Sequence, residues 1–130
     1  MQVIYRDEKH PDLVWLKFEG PSWDEFHELM NQFETWTRET QAPFYLVFYP
    51  TIDMPKGSPL PHIRRLIKFL NAEPKIRYMI TILPKNMIIA KGFANLATRL
   101  FPGQTMQSTI ITDVDEVYAI YRKIVDDVPL

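Results

Sequence analysis

Phe44-Tyr45-Leu46-Val47-Phe48-Tyr49 is a run of six apolar or aromatic residues, followed directly by Pro50. The run has strand length and leaves no charged side chain for either face. A strand apolar on both faces belongs in the middle of a sheet covered on both sides, as in α/β proteins. The flanking sequence supplies the covers. Upstream, Ser22 with Glu25 three residues on forms a capping box, and Phe26, Leu29, Met30, Phe33 and Trp36 recur at 3–4 spacing. This predicts an amphipathic helix that ends at Gln41-Ala42-Pro43, with Asp24, Glu25 and Glu28 in the first turns, where the helix dipole favours anions. Downstream, Ile63, Leu66, Ile67 and Leu70 mark a second amphipathic helix.

Further out, residues 2–6 and 13–19 read as two short strands joined by a polar, proline-containing turn, which makes a hairpin. In the second strand Leu13, Trp15 and the aliphatic stem of Lys17 share one face, and Val14, Leu16 and Phe18 share the other. Residues 75–83 predict another strand, with Ile76, Tyr78, Ile80 and Ile82 alternating against Met79, Thr81 and Leu83. Met87, Ala90, Ala94, Ala97 and Phe101 form the stripe of a third helix, broken by Pro102-Gly103. A short β-branched strand spans 108–112. Asp113 with Glu116 then makes a capping-box-like start to a fourth helix lined by Val117, Tyr121, Ile124 and Val125. The order β-β-α-β-α-β-α-β-α predicts one α/β domain over residues 1–130. Its mixed sheet has an antiparallel N-terminal hairpin, parallel remaining strands joined by right-handed crossovers, and four helices.

Composition sets the outer limits. The chain has 130 residues, 46% hydrophobic and 24% charged, including 3 Trp, 6 Tyr and 8 Phe, enough for a real core and against wholesale disorder. It has no cysteine, which excludes disulfides, Cys-ligated metal and thiol chemistry. The first ten residues carry charges where a signal peptide needs an apolar run, and no apolar stretch approaches the ~20 residues that span a bilayer. A cytoplasmic protein without a membrane span is therefore expected.

In element order and spacing the chain resembles the STAS family, the anti-anti-sigma-factor-like domains. The resemblance covers nearly the whole chain. It is carried by Val3-Ile4-Tyr5 and Leu13-Val14-Trp15-Leu16, by Tyr45-Leu46-Val47-Phe48, and by the closing step Thr112-Asp113-Val114-Asp115-Glu116-Val117. It implies a regulatory domain in which the loop after the third strand meets a kinase-like partner, and in which a Ser or Thr at the start of the second helix, usually directly after an Asp, accepts phosphate. Here Asp53 and Ser58 are five residues apart, in a loop over 50–61 with four prolines. The family also includes lipid- or small-ligand-associated members.

Several residues carry candidate chemistry. Ser58 before Pro59 reads first as a helix N-cap and second as a phosphosite whose charge would lie near Arg64 and Arg65. The proline-rich loop leaves the C-terminal end of a parallel strand, where α/β sheets bind ligands, and Asp53, Met54 and Lys56 on it are candidate contacts. The net charge of −1 conceals an asymmetry. Residues 1–58 hold 5 basic and 10 acidic groups, whereas residues 59–99 hold 8 basic groups and Glu73 alone. His62, Arg64, Arg65 and Lys68 open that basic stretch and are candidates for an anionic or acidic partner. His27 lies one residue off its helix stripe and is expected at the surface.

The three histidines show no metal-ligand spacing, the four glycines are scattered, and no nucleophile elbow exists, so no metal, cofactor or catalytic constellation is expected. The leading expectation is a non-catalytic regulatory or protein-binding module acting through the loop after the third strand and the start of the second helix. One alternative is a protein that binds a small apolar or anionic, lipid-like ligand between sheet and helices. A second is an enzyme built on His62 and Asp53. Specific nucleic-acid binding is not expected, and the acidic first half and basic second half are complementary in a homodimer.

Overall fold

A computed structural model of the chain describes residues 4–18, 22–50, 60–82 and 107–127. Its elements are β1 (Ile4–Arg6), β2 (Leu13–Phe18), α1 (Trp23–Glu39), β3 (Phe44–Pro50), α2 (Leu60–Ala72), β4 (Ile76–Ile82), β5 (Gln107–Ile111) and α3 (Glu116–Asp127). The helix expected over 87–101 lies outside the described residues, as do Asp53, Met54, Lys56 and Ser58.

The five strands form one mixed sheet in the order β1-β2-β3-β4-β5, with β1 antiparallel to β2 and every other pair parallel. The Phe44–Tyr49 run is thus the central strand. Right-handed crossovers that step the same way across a sheet place their helices on the same face. Accordingly α1 and α2 share one face. Phe26, Leu29, Met30 and Phe33 of α1 and Leu66 and Leu70 of α2 pack there against Val14, Leu16, Phe18, Phe44, Leu46 and Phe48. The opposite face belongs to α3, whose Val117 and Tyr121 close over Leu13, Trp15, Val47, Ile80, Ile82 and Ile111. Alternation along β2 divides its residues between these two cores as its sequence requires.

Local details follow from chemistry at the element ends. Ser22 Oγ accepts from the Glu25 amide at the start of α1, satisfying one orphan donor of the first turn. At the other end, Thr40 N–H donates to the Thr37 and Trp36 carbonyls, and Lys75 Nζ donates to Thr37 O at 2.9 Å, a cation at the negative pole of the helix.

Three expectations change. Ile76 lies in the α1/α2 core rather than with Tyr78, Ile80 and Ile82. The β3–β4 register slips between Phe44↔Ile76 and Tyr45↔Tyr78, leaving Arg77 as an extra residue, and such a bulge resets which face follows. Val125 is 41% exposed, and Tyr118 packs in the α3 core instead. The Asp113 carboxylate accepts from the Asp115 amide, an Asx turn that precedes the helix rather than a bond into its third residue.

Candidate functional site

The seam between α1 and α2 gathers two of the four described polar candidates, His62 and Arg65. His62, in the first turn of α2, brings Nδ1 to 2.6 Å from His27 Nε2 on α1. Arg65 Nη1 lies 2.9 Å from His27 Nδ1, and its Nη2 reaches Asn31 Oδ1 at 2.5 Å and Glu34 Oε2 at 3.1 Å. A guanidinium only donates, so His27 Nδ1 must be the acceptor. That leaves the His27 proton on Nε2, from which it is donated to His62 Nδ1. The His62 proton then sits on its Nε2. The Trp23 ring stacks on His62 with centroids 4.3 Å apart.

His27 is therefore half-buried and engaged, where an exposed position was expected. The reason lies in a second stripe on α1. Trp23, His27, Asn31 and Glu34 recur at 4-4-3 spacing alongside the apolar one, and this flank faces α2. Apolar periodicity does not reveal it, because three of its four members are polar.

Burial lowers the His62 pKa below its ordinary 6.5, the neighbouring His27 lowers it further, and Asp24 partly offsets both. The unfolded chain then binds a proton at a pH where the folded chain does not. Stability is full above 6.5 and falls as pH drops through 6.5 toward the lowered folded value. A protonated His62 would also set two N–H donors against each other at the His27 contact. The melting temperature is expected to fall on acidification from pH 7.5 to 5.5, and His62→Gln is expected to flatten that fall. Equal slopes for the two proteins would remove the assignment.

Along α2 the four candidate groups diverge. His62 and Arg65, three residues apart, turn toward α1. Arg64 and Lys68, one turn apart, are exposed, and neither has an ion pair among the described residues. The seam thus fixes the helix while its outer edge stays cationic. The exposed part of α1 is acidic, with Asp24, Glu25, Glu28 and Glu39.

The opposite sheet face carries a second arrangement. Asp7, 8% exposed, accepts four hydrogen bonds. Its Oδ1 takes Trp15 Nε1 at 3.1 Å and the Tyr118 hydroxyl at 2.6 Å, and its Oδ2 takes the amides of Lys9 and His10. Burial pushes this carboxyl up, but the bonds from Tyr118, Lys9, Trp15 and His10 outweigh it and hold the pKa below its ordinary 3.8. The same bond raises the Tyr118 phenol from 10 to about 12. Tyr121 donates to Asp12 Oδ1 at 2.5 Å, and burial followed by that bond pushes its phenol up as well. The His10 ring packs on Tyr121 with centroids 4.7 Å apart.

Beside this anchor lies a pocket of about 660 Å³ walled by Tyr5, Trp15, Tyr49 and Tyr118, with Lys17, Arg122 and the carboxylates of Asp7 and Glu8 also in its lining. Asp7, Tyr118 and Lys17 were not among the expected site residues. The available signal was Asp7 at the head of a turn, an Asx-turn position, together with tyrosines on a packed helix face, whose hydroxyls need partners.

Among the described residues no group of three or more His, Asp or Glu side chains is placed to hold a metal ion, and no helix is long and apolar enough to cross a membrane. No protein-family model, curated protein or solved structure matches this chain.

Proposed function

We propose that the chain is a non-catalytic, STAS-like regulatory module that binds a protein partner through the loop after β3 and the first turns of α2. The observation that carries this reading is the outer edge of α2. Arg64 and Lys68 stand exposed one turn apart, on a helix whose inner side is held by Arg65, His62, Leu66 and Leu70. A rigidly seated cationic edge loses little conformational freedom on docking and steers an acidic partner. The element order and the mixed sheet support the family reading. Phosphorylation of Ser58 would add negative charge close in sequence to this edge and weaken its pull on such a partner.

The test is affinity capture from the native lysate with the wild-type chain and with an Arg64→Glu, Lys68→Glu double variant, compared by quantitative mass spectrometry. Both residues are exposed, so the melting temperature should stay within a degree or two. The reading requires a partner that the wild type retains and the variant loses at least ~10-fold, with salt-sensitive capture. Identical capture by both proteins would refute it.

A further inference from the structure

We propose that the pocket between the β1–β2 hairpin, the end of β3 and α3 is a binding site for a small aromatic anion, with Lys17 as its charge partner. It lies on the sheet face opposite α2, so it stands or falls separately from the reading above.

The strand registers build the site. Tyr5 is paired across from Trp15, and Lys17 is paired with Tyr49. Trp15 and Lys17 are two apart on β2, so all four side chains project from the face on which α3 packs. Tyr118 closes the remaining side, and Arg122 follows it by one helical turn. The volume, about 660 Å³, falls within the ~300–1,000 Å³ typical of small-molecule sites.

Lys17 is the group that calls for a ligand. It is half-buried, and its ammonium sits over two ring faces, 5.7 Å from the centroid of Tyr5 and 5.8 Å from that of Tyr49. Ring faces attract a cation but offer no lone pair to its three N–H donors. Among the described residues it has neither a hydrogen bond nor an ion pair. Asp7 borders the same pocket but forms no ion pair with Lys17. Both Asp7 oxygens are occupied, by Trp15, Tyr118 and two backbone amides. Glu8, exposed on the same lining, likewise makes no ion pair with Lys17, so direct contact with the ammonium is open to an entering anion.

The walls define the rest of that molecule. Tyr5 and Trp15 lie parallel, 1° between their planes and 6.2 Å between centroids. Tyr118 is pinned through its hydroxyl to Asp7. These surfaces are set before binding and cost little entropy to use. They favour a flat, apolar ring. Arg122, exposed at the rim, adds a planar donor fork suited to a carboxylate or phosphate oxygen pair. A cationic ring would meet Lys17 head-on and is disfavoured.

The test is a ¹H–¹⁵N NMR titration of the full chain with 2-naphthoate, its neutral analogue 2-naphthalenemethanol, and acetate as an anion without a ring. Naphthoate is expected to shift the amides of Tyr5, Lys17, Tyr49 and Tyr118 saturably, and the neutral analogue to bind at least ~10-fold more weakly. Acetate should not saturate in the same range. Lys17→Gln should weaken naphthoate about 10-fold, whereas Lys123→Gln, an equal charge change on α3 outside the pocket, should not. Should Lys17→Gln fail to fold, the exposed Arg122→Gln decides, with a loss of about threefold expected relative to Lys123→Gln. Equal affinity for naphthoate and naphthalenemethanol, unchanged affinity in a folded Lys17→Gln, or no shift at those four amides up to about 10 mM would each overturn the proposal.

Discussion

Phe33→Ala is expected to lower the unfolding free energy by about 3–5 kcal/mol, the range for emptying a well-packed aromatic site. Phe33 is fully buried at the middle of α1. Its ring meets Phe69 of α2 at 5.5 Å and Phe44 of β3 at 6.4 Å, both edge-on, and stacks on Trp36 at 6.5 Å. Three elements therefore share this one side chain, and neighbours held by a helix on each side and a strand below relax little into the void. Since a domain of this size is stable by only about 5–15 kcal/mol, the variant should melt some 10–20 °C lower. Urea unfolding should show a lower midpoint with an unchanged slope. A loss under about 1 kcal/mol would mean that α1, α2 and β3 do not close on this residue.

Asp7→Ala is the second large effect, with an expected cost of about 2–4 kcal/mol. The carboxylate serves four donors, and its removal strands the buried Trp15 indole N–H and frees Tyr118 of α3 from the hairpin. A double-mutant cycle separates this from simple loss of packing. Tyr118→Phe alone should cost about 1 kcal/mol, and much of that cost should vanish in the Asp7→Ala background. Strict additivity would show that the two groups do not interact.

The pH dependence has two signs. The Asp7 pKa is lowered on folding, so its contribution is present above 3.8 and is lost as pH falls below that value. Tyr118 is raised to about 12, so its contribution is complete below pH 10 and is lost as pH rises from 10 toward 12. Ultraviolet titration of the phenols should find Tyr118 ionising near 12, and Asp7→Ala should bring it back toward 10.

Much of the fold was legible because it is written in short periods. The six-residue run at 44–49 announced a covered central strand, and alternation on β2 assigned each of its residues to the correct core. The stripe on α1 identified Phe26, Leu29, Met30 and Phe33 as buried. The failures have a common cause. The Ile76 alternation failed because one extra residue, Arg77, enters against β3, and pairing with a neighbour decides where a bulge falls. Val125 failed because the width of a buried helix face depends on what lies beneath it. His27 looked like a surface residue until α2 supplied His62 and Arg65.

The candidate sites divide the same way. The cations of α2 were visible as a charge bias, yet their sequence could not say that Arg65 turns inward while Arg64 and Lys68 stay out. Alternation puts Lys17 on the proper face of its strand, but only the paired Tyr5 and Tyr49 rings give its ammonium a setting. Asp7 falls in the turn between the first two strands, and nothing local marks it as an anchor because its partner Tyr118 lies 111 residues away.

By itself the sequence determined the described elements, their order, the mixed sheet and the absence of thiol chemistry. These depend on backbone periods of 2 and 3.6, on capping chemistry and on composition, all of which act within a few residues. Tertiary structure alone decided the His27–His62–Arg65 chain, the Asp7–Tyr118 anchor and the aromatic pocket around Lys17. Hydrogen bonds and ring contacts are satisfied over a few ångströms, so they exist only once packing of the two cores has fixed which distant side chains come within reach.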